Sequence, residues 1–109
     1  MKYLVMGSEG PDFAASEEGF ALLEKSILPS FEVLTKLEAE KKILAGGVPV
    51  GERALIFVVE AGSHGELDDI LRDLPVWGML DWEVVPLQSF QERAKKERSV
   101  YEDLKKKLG

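Results

Sequence analysis

Asp81 and Glu83 stand two residues apart in the stretch LPVWGMLDWEVVPL, residues 74–87, with Trp82 between them. On a strand, positions i and i+2 share a face, so the two carboxylates point one way and Trp82 the other. Facing an apolar cavity, a carboxylate becomes a stronger base, which suits proton transfer between carbons. That chemistry also needs a cation or a donor to stabilise the enolate. Arg53 is the candidate, because a guanidinium grips a carboxylate through two parallel N–H donors. Each residue also has a structural reading. The acids could lie on a solvated edge or pair with lysines, and Arg53 could pair with Glu52, Glu60 or Glu83.

Three further residues bear on a site. His64, the single histidine, lies between Ser63 and Gly65 at a helix start, where the helix dipole disfavours its protonation. It reads as an exposed first-turn residue or as a base or substrate contact. Trp77 and Trp82 read either as pocket walls or as core and interface residues. One histidine among scattered acids does not make a transition-metal site. Gly46, Gly47 and Gly51 match neither a phosphate loop nor a dinucleotide fingerprint. The expected chemistry is therefore free of metal and cofactor.

Composition narrows the field. A chain of 109 residues with 45% apolar composition holds one core and no second domain. The longest uninterrupted apolar run is ALIFVV, Ala54 to Val59, too short to span a bilayer. Met1 to Met6 lacks the length and cleavage pattern of a signal peptide, so a cytoplasmic protein is expected. The chain has no cysteine, which removes disulfides, thiolate catalysis and cysteine-held metals. A net charge of −6 speaks against nucleic acid as partner. Residues 90–109 carry seven Lys or Arg against four acids, a net +3 that leaves −9 for residues 1–89 of the total −6. A basic tail on an acidic body reads as a solvated helix face or as an arm docked on its own or a neighbouring subunit.

The elements that must position these residues alternate along the chain. Lys2 to Gly7 reads as a strand, ended by the turn GSEGPD at Gly7 to Asp12. From the cap Ser16, apolar residues recur at Phe20, Leu23, Ile27, Phe31, Leu34 and Leu37, the spacing of an amphipathic helix. Pro29 predicts a kink or a second helix starting beside it, and Gly46-Gly47 a left-handed helix end. Residues 48–61 read as an extended arm and then a buried strand. Ser63 and Glu66 form a capping box for a helix with Leu67, Ile70, Leu71 and Leu74 on one face. Pro75 stops it, Leu80 to Leu87 forms a last strand with Pro86 near its end, and Gln91 to Leu108 repeats Ala94, Tyr101, Leu104 and Leu108 at near-heptad spacing. Strand, helix, strand, strand, helix, strand is an α+β, ferredoxin-like βαββαβ order with an antiparallel sheet and an extra C-terminal helix.

The strand from Ala54 to Ala61 is apolar on both faces: Leu55, Phe57 and Val59 on one, Ala54, Ile56 and Val58 on the other. Two helices cover one face of a four-stranded sheet, so the second face calls for a partner sheet or an apolar ligand. Each large apolar side chain left exposed forgoes roughly 1.5–3 kcal/mol. A homodimer through the sheet, or a higher homo-oligomer, is the economical expectation.

Residues 65–87 resemble the C-terminal half of muconolactone isomerases, in which an LP-aromatic turn leads to a last strand of the form D-apolar-E-V-x-P/G-L. The matching residues are Leu74, Pro75, Trp77, Asp81, Glu83, Val84 and Leu87. The resemblance implies a dimeric α+β barrel, two ferredoxin-like sheets face to face, in agreement with the two-sided strand. The chain departs from the family pattern at GGVPVGERA, where Arg53 is the one basic residue, at Gly78-Met79-Leu80, and in its long last helix. The closer likeness is to relatives that carry GGVPVG-x-R, for which the resemblance implies the fold.

The domain expected is residues 1–89, with 90–109 a C-terminal helix packed on its own or a partner subunit. Three functions fit. The first is a cofactor-independent isomerase of a small unsaturated lactone or organic acid, with Glu83 or Asp81 as proton-transfer base and Arg53, Trp77 and His64 as substrate contacts. The second is a non-catalytic dimeric module that binds a small molecule or a protein. The third is a cofactor-free monooxygenase of the same fold.

Overall fold

The computed structural model describes residues 1–12 and 14–109. The strands are β1 (Lys2–Ser8), β2 (Ile43–Gly47), β3 (Leu55–Glu60) and β4 (Asp81–Leu87), and the helices α1 (Ser16–Leu22), α2 (Leu28–Ala39), α3 (His64–Arg72) and α4 (Phe90–Leu108). They form one antiparallel sheet in the order β2-β3-β1-β4. Both central strands come from halves of the chain that a helix separates, which is the ferredoxin-like arrangement expected. Among the described residues no helix is long and apolar enough to cross a membrane.

Strand alternation divides the sheet into two faces. Tyr3 and Val5 of β1 and Leu55, Phe57 and Val59 of β3 point to the helices and are buried, joined by Leu67 and Leu71 of α3. The register pairs Val5 with Val84 and Gly7 with Trp82, so Trp82 faces the same layer and packs against this core. Its indole Nε1 donates to the Trp77 carbonyl at 2.9 Å, fixing β4 to the turn before it. The other face, with Leu4, Met6, Ile56, Val58 and Val85, is covered by no element among those described and stays half-buried or exposed.

Helix ends agree with the sequence reading in some places and depart from it in others. Ser63 does cap α3, accepting from the Glu66 N–H at 3.1 Å. Glu66 reaches back to the Gly62 N–H at 2.6 Å instead of to the cap residue itself. Ser89 caps α4 in the same manner, accepting from the Glu92 N–H at 3.1 Å. Ser16, expected as a cap, is the first residue of α1, and Ala15 precedes it without a side-chain bond. Pro29 falls in the first turn of α2, as expected of a second helix starting beside it. Between α1 and α2 the chain makes a π-helical turn, Leu23–Ile27, which inserts an extra residue and rotates the side chains of α2 relative to those of α1.

Gly46-Gly47 does not end a helix. Lys41 does so, in the left-handed conformation with φ 62°. The Lys42 N–H donates to the Leu37 carbonyl at 2.9 Å and the Lys41 N–H to that of Glu38 at 3.0 Å, a complete Schellman cap. The glycines belong to β2, earlier than the extended arm expected from residue 48. Gly46 pairs with Phe57 at φ 152°, where a Cβ would lie 2.5 Å from the Ile56 carbonyl oxygen. Glycine is thus required by close strand approach beside the irregular register between Ile43 and Ala45.

Candidate functional site

The end of the sheet where β1 stops and β3 begins holds a cavity of about 210 Å³ between α2 and the strands. Ile27, Phe31, Leu34, Leu55, Val76 and Leu80 make its walls apolar. Helix α2 brings Phe31 and Leu34 to these walls because Ser30 fastens it down. The buried Ser30 Oγ donates to the Ser26 carbonyl at 2.7 Å and accepts from the Val76 N–H at 3.1 Å. That second bond ties the helix to the segment bearing Val76 and Leu80.

Two charged side chains, Glu52 and Arg53, line the cavity. Both also line a polar recess of about 370 Å³ formed with Ser8, Glu9 and Gly51. They therefore stand where an apolar chamber meets a polar entrance. The loop carrying them is held against the end of β1. The Gly10 N–H donates to the Arg53 carbonyl at 2.9 Å, and a Cβ on Gly10 would lie 2.5 Å from that oxygen. Glu9, next to it, adopts φ 57°, an uncommon conformation for a non-glycine residue and a mark of a constrained turn. The Arg53 guanidinium reaches Asp12 at 4.0 Å with its side chain mostly exposed, a weak surface pair. Its partner is Asp12, not the Glu52, Glu60 or Glu83 considered from the sequence.

Asp81 and Glu83 share a face of β4, opposite Trp82, as alternation requires. The register places them beside Ser8 and Met6, which is the sheet face turned away from the helices. Both are exposed. Within one chain the fold thus separates Glu83 from the cavity that Arg53 lines. The side chains around Glu83 are those of the uncovered apolar face: Leu4 and Met6 on β1 and Val85 on its own strand.

Trp77 is half-buried beside the cavity, whose lining is its neighbour Val76. The Arg72 guanidinium sits 4.4 Å from the Trp77 ring centroid, a cation–π contact that closes the end of α3 over the turn. His64 lies at the far end of the sheet. It shares a hydrogen bond of 2.5 Å, through Nδ1, with the hydroxyl of the buried Tyr3. Tyr3 is four residues from Gly7 along β1, roughly 13 Å at strand rise, so His64 and Arg53 serve different ends of the molecule. Sequence reasoning misses Tyr3 and Ser30 and takes Glu52 only as a possible partner of Arg53. Ser30, directly after a helix-starting proline, was the one with a local signal, a polar residue on an otherwise apolar face.

Comparison with known proteins agrees with this architecture. The muconolactone delta-isomerase family model matches residues 28–93. Among solved structures, a muconolactone isomerase superposes with a TM-score of 0.66 at 22% identity, over 82% of this chain and 90% of that one. A 5-chloro-2-hydroxyhydroquinone dehydrochlorinase from Burkholderia phenoliruptrix AC1100, in complex with 2,5-dihydroxybenzoquinone, superposes with a TM-score of 0.59 at 19% identity, over 84% of this chain and 98% of that one. No curated protein matches the chain.

Proposed function

Because this chain belongs to the muconolactone delta-isomerase family, we propose that it is a small-molecule enzyme that shifts a double bond in a small unsaturated lactone or related organic acid by carboxylate proton transfer, without a cofactor. The observation that carries the reading is an apolar cavity with Arg53 and Glu52 at its polar mouth. A cavity of about 210 Å³ lies below the usual range for drug-sized ligands, roughly 300–1,000 Å³, and suits a single ring. The dehydrochlorinase of the same fold holds such a ring. Arg53 would clamp the substrate carboxylate while the ring enters the apolar chamber, and would offset the charge that develops on the enolate. A base removes a proton from one ring carbon, the electron pair moves into conjugation, and the same proton equivalent is returned at another carbon. Substrate and product have the same composition.

Two positions compete for the base. Glu52 is the carboxylate that shares the cavity with Arg53. Glu83 and Asp81 enter the chemistry if a second copy covers the open sheet face, as a homodimer of facing sheets would. Enclosure by a partner would give Glu83 the apolar surroundings that a general base needs. We favour Glu52 within a single chain and reserve Glu83 for the dimeric barrel.

Turnover of unsaturated lactones in deuterated water, followed by mass spectrometry, tests both. Removing the base should cost about 10²–10⁴-fold in kcat, on the order of general-base contributions. A loss confined to Glu52→Gln assigns the base to the cavity, and a loss confined to Glu83→Gln to the sheet interface. Arg53→Ala should raise KM. Full activity in all three folded variants would sink the proton-transfer reading. The same small cavity also favours a second reading, a dimeric module that binds a small organic acid without turning it over. Ligand binding dependent on Arg53, with no deuterium incorporation, would establish that one.

A further inference from the structure

Among the described residues, α4 is the one long helix that buries none of its residues. Ser89 starts it with a proper cap and the Arg93–Glu97 pair at 2.7 Å supports its first turns. Helices in proteins draw most of their stability from tertiary packing of an apolar face, and this helix of 19 residues buries none. Its apolar residues fall on one stripe. Phe90, Ala94, Tyr101, Leu104 and Leu108 recur at four- and three-residue spacing in heptad register, with Glu97 the single polar interruption. Phe90 is 94% exposed and Leu108 88%. Such a stripe on a capped helix is built to be covered.

Self-pairing does not cover it. The positions that flank the stripe include Arg93, Arg98, Lys105 and Lys107. An α4–α4 coiled coil in either orientation would set this basic flank against itself. The occupant must carry acids beside an apolar row, and the outer face of α1 and α2 does. There the π turn matters. Leu23 and Leu28, five residues apart, come to one side because the turn holds an extra residue. Phe20, Leu23 and Leu28 consequently form an exposed row, with Phe20 68% and Leu28 56% exposed. Residues 16–32 hold Glu17, Glu18, Glu24 and Glu32 against Lys25 alone, a net −3 that opposes the +3 of residues 90–109.

We infer that α4 of one copy docks its apolar stripe along the acid-bordered Phe20–Leu23–Leu28 row of a second copy. This contact is independent of the facing-sheet homodimer and of the catalytic reading. It gives the basic tail and the acidic helical face complementary roles in one assembly, with electrostatic attraction guiding the approach and apolar burial holding it.

The absence of cysteine from the chain gives a clean test with the full-length protein. Leu104→Cys is mixed with, in turn, Phe20→Cys, Leu28→Cys, Ile56→Cys and unmixed controls, and each mixture is treated with a short bifunctional maleimide. Copies carry distinguishable tags. The expected product links position 104 of one copy to 20 or 28 of another, and its yield falls several-fold at high salt and in Lys105→Glu/Lys107→Glu. Adding Glu24→Lys/Glu32→Lys in the other copy should restore it. A dominant 104–104 product would mean self-pairing and overturn the inference. A dominant 104–56 product would put α4 on the open sheet face and overturn it too. So would a yield at positions 20 and 28 that neither salt nor charge reversal changes, or no cross-link between copies.

Discussion

The two faces of the sheet have nearly the same chemistry and opposite fates. Toward the helices, Tyr3, Val5, Phe57 and Val59 are buried, and Val59 is 0% exposed. Away from them, Leu4, Met6, Ile56 and Val58 are as apolar but remain half-buried or exposed. The composition of a strand therefore does not decide what it buries; what stands opposite does. Two-sided apolar strands are the pattern of sheets covered on both faces. The uncovered one is thus the place where a second copy is expected, and it is the face that carries Glu83.

Adjacent valines put this contrast to its strongest test. Val59 and Val58 are the same side chain on opposite faces of β3. Val59→Ala should cost about 2 kcal/mol or more, the transfer loss plus a cavity that its packed neighbours cannot fill. In dilute protein, where a monomer prevails, Val58→Ala should cost well under that, about 0.5 kcal/mol. Urea denaturation with both variants measures the difference. If the gap closes as protein concentration rises, while sedimentation shows dimer, the open face is covered by another copy. A gap that persists in a sedimenting dimer would mean that the dimer uses a different surface.

The same contrast explains what the sequence reveals and what it hides. Elements set by local chemistry are legible: Ser63 caps α3, Pro75 lies just past its end, and Pro29 lies in the first turn of α2. The ferredoxin-like order is built on them. The long helical stretch is misread for a physical reason. An apolar spacing of three and four presumes an uninterrupted α-helix, and the π turn at Leu23–Ile27 shifts the phase. Phe20 and Leu23, expected inward, lie exposed, and Ser30 takes the buried place beside the cavity wall of Phe31. The helix end is hidden because a lysine, Lys41, adopts the conformation usually left to glycine. For the site, Arg53 lines both the apolar cavity and the polar recess, a placement that no spacing in the sequence announces. Glu83 is a matter of parity. Alternation tells that it opposes Trp82, but only the pairing of β4 with β1 tells that Trp82 takes the helix side.

Ser30 gives the next largest effect, at the helix-covered face. Its hydroxyl satisfies the buried Val76 N–H at 3.1 Å and donates to the Ser26 carbonyl at 2.7 Å. Ser30→Ala removes both bonds at once and leaves the Val76 N–H without its acceptor. The expected cost is about 1–2 kcal/mol, since an unsatisfied buried donor forfeits its desolvation energy. Ser30→Thr should retain most of the stability if the extra methyl finds room in the cavity beside Phe31. The open face contains no tether of this kind among the described residues. Thermal melts of the two variants, read with ligand titration, separate the two consequences. Loss of stability with unchanged ligand affinity would make Ser30 a fastener only, whereas a parallel loss of affinity would show that the Val76 wall must be held for the cavity to exist.

The smallest effect expected is at Ser63, and it is informative because it lies at the start of a core-packed helix yet far from the cavity. Ser63→Ala deletes the acceptor for the Glu66 N–H and should cost about 1 kcal/mol, as loss of a helix cap does. Glu66 keeps its bond to the Gly62 N–H at 2.6 Å, so the helix start is weakened without being released. The change falls beside His64 and its bond to Tyr3, at the end of β1 away from Arg53. A melt that drops by a few degrees with Arg53-dependent binding intact is the expected result. It would separate the end of the sheet that serves stability from the end that serves the site. If ligand binding fell together with the cap, the two ends would be coupled through β1, and His64 would return as a contributor to function through the strand it anchors.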